Sequence, residues 1–229
     1  MTPAPARLPD APPGPGELFA VAARRADLGA TEDVLSREER RRAAAISHPG
    51  SRARFVDGRI LLRRVLGRVL NRPAADLALD VPPSGKPRLA GGDDVDLRFS
   101  ISVGETRVLA AVGTGVEVGA DIEETAPPDF EAVALTILGD AEIREFRALP
   151  LAERTAAFLR AWTRKEALLK AAGVGFAVDP RRLAVGLSGT RGFVASDALG
   201  GRYAWADLDG LPASVAAAGE GLETRLFAL

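Results

Sequence analysis

Asp121 and Glu123 stand two residues apart in a run where Val116, Val118, Ala120 and Ile122 alternate with Glu117, Gly119, Asp121 and Glu123. In an extended strand residues i and i+2 share a face, so the two carboxylates project side by side, with room beside them at Gly119. Paired hard oxygen donors suit Mg²⁺, which takes one or two carboxylates, keeps water and completes its shell with substrate phosphates. A solvated strand edge carries the same Asp-x-Glu pattern. Glu166 and Lys170 are four residues apart and share a helix face, with Trp162 one turn before Glu166. Such a pair also occurs as a plain helix stabiliser, worth about 0.2–0.5 kcal/mol. Add the arginine-lined helix around Arg59 and Arg63 and the run Gly85-Lys86-Pro87, and these are the parts that a polyphosphorylated substrate bridged by Mg²⁺ would engage.

Composition narrows the chemistry further. The chain has 229 residues, 30 Lys+Arg against 31 Asp+Glu, one His and no Cys, for a net charge of −1. Without cysteine there are no disulfides, thiol nucleophiles or thiolate metal sites, and the lone His48 leaves little scope for Ser-His catalysis. Near-zero net charge argues against a general nucleic-acid binder. Of the 30 basic residues only Lys86, Lys165 and Lys170 are lysine, and all three fall in the two segments that carry the candidate chemistry. No apolar stretch approaches the roughly 18 residues needed to span a bilayer, and the N-terminus lacks a signal-peptide pattern. The expectation is a soluble cytoplasmic protein.

The elements that must position these residues follow from periodicity. MTPAPARLPDAPPGPG, residues 1–16, reads as a disordered Pro-rich leader. Glu17 to Ala22 reads as a strand. Ser36-Arg37-Glu38-Glu39 is a capping box opening a helix through about Ile46, which His48-Pro49-Gly50 breaks. A stronger helix starts at Ser51, with Phe55, Leu62, Val65, Leu66 and Val69 on one stripe and Arg52, Arg59 and Arg63 on its polar side. That cationic side reads either as a solvated face or as an anion site. Arg98–Ser102 and Arg107–Val112 form a hairpin, and Val116–Glu123 is the acidic strand. After a linker at Ala126-Pro127-Pro128-Asp129 come a helix from Phe130 to Leu138, one capped by Asp140, and a long one from Ala152 to Ala172 ended by Gly173. Strands around Leu183, Gly192, Arg202, Ser214 and Arg225 close the chain.

Taken in order, Arg54-Phe55 with Arg59 to Arg63, GKPRL (85–89), FSIS (99–102), VGADIEE (118–124) and FLRAWTRKEALLKAAGVGF (158–176) resemble the 4′-phosphopantetheinyl transferases that activate carrier domains of polyketide and nonribosomal peptide synthesis. The resemblance runs from about Leu18 to Leu187. It implies an α+β fold of two similar halves related by a pseudo-two-fold axis, each a small, mostly antiparallel sheet packed with helices. The halves are expected at 17–125, with the coenzyme A helix, GKP and the acidic strand, and at 126–229, with the long helix and closing strands; the site is implied between them. It also implies a reaction in which a carrier-protein serine attacks the β-phosphorus of coenzyme A and 3′,5′-ADP leaves.

By position, Asp121, Glu123 and Glu166 match the family's Mg²⁺ ligands, with Glu166 or a metal-bound water as the base and Glu166 and Lys170 as the catalytic pair. Lys165 and Lys170 match lysines facing the pyrophosphate, Lys86 one beside the nucleotide, and Arg63 a 3′-phosphate contact; Arg54 and Ser102 complete the coenzyme A contacts. The implied partners are coenzyme A and an acyl or peptidyl carrier protein, with no nucleic acid or membrane, and the implied state is a monomer.

One departure stands out. Where the family reads Ser-His-Ser-Gly, with the histidine on a coenzyme A phosphate, this chain reads Ser102-Val103-Gly104-Glu105. The alternative is therefore a repurposed or inactive member that binds coenzyme A or carrier-linked intermediates, or catalyses a different biosynthetic step.

Overall fold

The computed structural model describes residues 6–29, 32–82, 85–90 and 95–229, without the side chains of Glu32 and Phe176. Residues 1–5 of the expected leader and Ser84 lie outside them. Two units emerge, one of residues 1–116 with 224–229, the other of residues 117–223.

The first unit contains β1 (Ala6–Arg7), β2 (Glu17–Arg24), α1 (Arg37–Ala45), α2 (Pro49–Val69), β3 (Leu79–Asp80), β4 (Arg88–Leu89), β5 (Leu97–Val103) and β6 (Arg107–Thr114). The Ser36 hydroxyl accepts from the Glu39 N–H and the Glu39 carboxylate from the Ser36 N–H, so the capping box forms as read. α2 begins at Pro49, two residues earlier than expected. His48 is its cap, Nδ1 accepting from the Ser51 N–H at 3.2 Å, and Pro49 is tolerated in the first turn, where its missing N–H leaves no bond unmade. Ile60, Leu61, Leu62, Val65, Leu66 and Val69 are buried with Phe99, Val108, Ala110 and Val112 of the β5–β6 hairpin.

The second unit contains β7 (Val118–Ile122), α3 (Phe130–Ile137), α4 (Asp140–Ala148), α5 (Leu151–Ala172), β8 (Arg191–Ser196), β9 (Gly201–Asp207) and β10 (Ala213–Ala218). Its sheet runs β7-β10-β9-β8, antiparallel throughout. Phe158, Ala161, Leu168 and Leu169 of α5 pack with Val194, Tyr203, Trp205 and Ala216 of this sheet. Gly173 ends α5 in the left-handed region (φ 68°), open to glycine at no steric cost. The final strand β11 (Glu223–Ala228) returns to the first unit, whose sheet order is β1-β11-β2-β6-β5. The mixed helices and mostly antiparallel sheets are the α+β class expected.

Four local expectations change. From Ala6 onward the leader is ordered, Ala6 and Arg7 pairing in parallel with Phe227 and Ala228, with Leu8 buried. The chain divides at 116/117 rather than 125/126, because β7 pairs with β10 along its whole length. Asp140 is the first residue of α4 and Gly139 the cap, its N–H held by Glu142. Around Leu183 there is no strand; Leu183 O accepts from Lys165, and the Val185 and Gly186 N–H groups donate to Glu142, which uses the backbone groups a ladder would need. Among the described residues no helix is long and apolar enough to cross a membrane.

Candidate active site

The acidic strand and the long helix meet within the second unit. β7 lies on the body of α5, and the approach is closest at Gly119, where a β-carbon would stand 1.9 Å from Ala167 O and 2.5 Å from Ala171 N. Only glycine permits it. Asp121, two residues on, shares that face and is 3 % exposed.

Lys170 reaches across from α5. Its ammonium donates to Asp121 Oδ1 at 2.6 Å and to Ala120 O at 3.2 Å. Glu166 is half-buried one turn before it. Burial, then the charge of Asp121, push the Glu166 carboxyl up to about 7; Lys170 pulls against them, and Glu123 adds the smallest push. Three carboxylates and one lysine thus form a single electrostatic cluster. Glu123 directly follows β7, its N–H bonded to Pro212 O at 3.0 Å, and borders an apolar recess of about 110 Å³ lined by Pro127, Val133, Phe158 and Trp162.

The cluster tests whether Mg²⁺ fits. All three donors are hard carboxylate oxygens, and a half-buried carboxylate whose proton is held by burial and by neighbouring negative charge is in the state a divalent cation relieves. Among the described residues no three acidic or histidine side chains already encircle one metal position. The residues fit in kind, with Lys170 as the positive charge now against Asp121.

Lys165 is placed elsewhere. It is 2 % exposed, and its ammonium donates to Glu142 Oε2 (2.6 Å), Leu183 O (2.7 Å) and Pro180 O (3.0 Å), which accounts for all three N–H groups. Burial lowers its pKa and Glu142 opposes the shift. This is an internal ion pair joining α4, α5 and the 180–186 segment, so the expectation that Lys165 faces a pyrophosphate does not match the arrangement. Helical geometry explains the difference: Lys165 points 100° away from Glu166.

The first unit holds the remaining expected contacts. Arg63 is 1 % exposed, pairs with Glu39 at 2.6 Å and donates to Ala74 O and Leu77 O. It braces α2 against α1 and the following turn, and the expected 3′-phosphate contact does not match its burial. Arg59 is buried as well, over the Phe55 ring, so the reading of a solvated arginine face does not hold for these two. Arg54 is exposed, its Nη1 donating to Val103 O at 2.8 Å. Ser102 and Lys86 are half-buried, Ser102 on β5 and Lys86 just after the left-handed Gly85.

Periodicity did not single out Glu142 or the chain that links buried Arg164, Ser214 and Thr163 through part-buried Asp207. The Glu142 signal is its capping position in α4, which carries no hint of Lys165, 23 residues later.

Residues 117–214 match the 4′-phosphopantetheinyl transferase superfamily. The chain is 37 % identical over 155 residues to the 4′-phosphopantetheinyl transferase HetI of Nostoc sp., covering 66 % of this chain and 63 % of HetI. It is 35 % identical over 123 residues to AcpT of Salmonella typhimurium (53 % and 59 % covered) and 28 % identical over 144 residues to Sfp of Bacillus subtilis (63 % and 62 % covered), both named 4′-phosphopantetheinyl transferases. The chain thus spans about three-fifths of the length of these curated relatives.

Proposed function

We propose, for a chain that belongs to the 4′-phosphopantetheinyl transferase superfamily, that it transfers 4′-phosphopantetheine from coenzyme A to a serine of an acyl or peptidyl carrier protein, with Mg²⁺ as cofactor. The observation that carries the reading is the cluster of Asp121, Glu123, Glu166 and Lys170 inside the matched segment.

In this reading Asp121, Glu123 and Glu166 would hold the cation. Bound Mg²⁺ would neutralise charge on the pyrophosphate of coenzyme A. The Glu166 carboxylate takes the proton of the attacking serine hydroxyl. The serine oxygen bonds to the β-phosphorus, the bond from that phosphorus to the bridging oxygen breaks, and 3′,5′-ADP leaves with that oxygen. Lys170, held at Asp121 and Ala120 O, supplies positive charge to the phosphates. Arg54, Lys86 and Ser102 are the proposed coenzyme A contacts of the first unit; Arg63 and Lys165 serve the fold. Carrier proteins of polyketide or nonribosomal peptide synthesis are the proposed acceptors, and the enzyme is read as a cytoplasmic monomer.

A second reading, a repurposed or inactive member, draws on one observation: Val103 packs toward Gly58 of α2 and offers no donor, while Glu105 is exposed in the following turn. Mass spectrometry of apo carrier proteins incubated with coenzyme A, Mg²⁺ and this chain decides between them. Addition of the phosphopantetheine mass, absent with Asp121→Ala, supports transfer; no addition to any of several carriers overturns it.

A further inference from the structure

Glu166 is bracketed on α5 by two polar ties to the sheet. Lys170, four residues on, bonds to Asp121. Three residues before Glu166, Thr163 Oγ1 lies 2.9 Å from Ser214 Oγ, and both residues are buried. Ser214 stands directly opposite Asp121 across the β7–β10 pair, so the two side chains rise from one face of the sheet.

The hydroxyl protons set the direction of the second tie. Ser214 Oγ donates its single proton to Asp207 Oδ1 at 2.9 Å. Thr163 must then donate to Ser214, sharing its proton with Arg160 O at 3.1 Å. Asp207 is fixed in turn by the fully buried Arg164, whose Nε lies 2.9 Å from Oδ1 and Nη2 2.6 Å from Oδ2. The same guanidinium donates to Gly186 O and Gly189 O and lies 4.2 Å from the Trp205 ring centroid. Alanine and leucine contacts alone leave a helix free to roll slightly on a sheet, because dispersion is non-directional. A buried and satisfied hydrogen-bond chain is directional, and breaking it leaves polar groups without water.

We infer that the Thr163–Ser214–Asp207–Arg164 chain sets the roll of α5 on the sheet and thereby aligns Glu166 with Asp121 and Glu123 for a divalent cation. Thr163 and Ser214 are positioning residues. The inference rests on the reading of those three carboxylates as cation ligands.

Calorimetric titration of Mn²⁺ into the full chain, without coenzyme A, tests it. Thr163→Val keeps the shape and removes the hydroxyl; Thr163→Ser keeps the hydroxyl. Thr163→Val is expected to weaken Mn²⁺ binding about tenfold, the lower end of the effect of groups that orient metal ligands, with Thr163→Ser close to wild type. Ser214→Ala, which leaves the Arg164–Asp207 pair in place, should match Thr163→Val and carries the same prediction if that variant fails to fold. Unchanged affinity in a folded Thr163→Val or Ser214→Ala chain overturns the inference, as does equal weakening in Thr163→Ser or a wild type that binds no Mn²⁺. The transfer assay is separate: a chain that shows this affinity pattern yet modifies no carrier refutes the proposed reaction and supports the positioning role.

Discussion

A β-carbon on Gly119 would stand 1.9 Å from the carbonyl oxygen of Ala167, so the backbones of β7 and α5 touch at the point where their acidic side chains converge. Neither neighbour is a flexible side chain, and one of them has to move to admit a methyl group. Gly119→Ala is expected to lower stability by about 1–3 kcal/mol, the usual cost of overpacking. It should also cut transfer by about 100-fold, because a displacement near 1 Å costs that much in an aligned site. Denaturant unfolding and single-turnover transfer check the two effects.

Lys165 and Glu142 make a different prediction from Lys170. Removing one member of a buried pair leaves a charge without compensation, at about 3–5 kcal/mol. Lys165→Met should lose that much stability and keep the KM for coenzyme A in whatever fraction stays folded. Lys170→Met should lose transfer with a smaller change in unfolding. A large KM rise in folded Lys165→Met would return that lysine to the substrate.

Glu166 carries a pH signature. Its ordinary value is 4.5, and the fold raises it to about 7. The folded chain therefore binds this proton more tightly than the unfolded chain, and metal-free stability falls as pH rises from about 4.5 to about 7, then levels. Thermal unfolding without metal should show this loss in wild type and lack it in Glu166→Gln. Stabilisation by Mg²⁺ should grow across the same window, as Glu166 ionises.

Val103→His restores a phosphate donor at the position where the resemblance expects one. A charge-assisted bond is worth about 1.5–3 kcal/mol, so the KM for coenzyme A should fall by about tenfold or more. An unchanged KM would mean that this part of the β5–β6 turn makes no contact with the substrate.

The acidic pair and its helix were legible because both depend on local period: two residues in a strand for Asp121 and Glu123, four in a helix for Glu166 and Lys170. Lys165 was not, since the sequence places it among the same lysines while its partner Glu142 lies on α4. Arg63 shows the same limit. It sits on the cationic stripe of α2, yet Glu39 of α1 accepts from it inside the unit. The strand expected at Leu183 failed for a related reason, its backbone being committed to that buried ion pair. Charge and propensity are local; the partner that buries a charge is not.

The return of β11 to the first sheet makes residues 117–223 an insertion within a discontinuous unit. The inserted unit is one unbroken stretch of chain, and all four strands of its sheet precede β11 in synthesis. The first unit must wait: β11 belongs between β1 and β2, more than 100 residues of chain lie between it and β6, and closing so long a loop slows assembly. The part of the protein carrying Asp121, Glu123, Glu166 and Lys170 can therefore fold without the long loop closure that the first sheet requires.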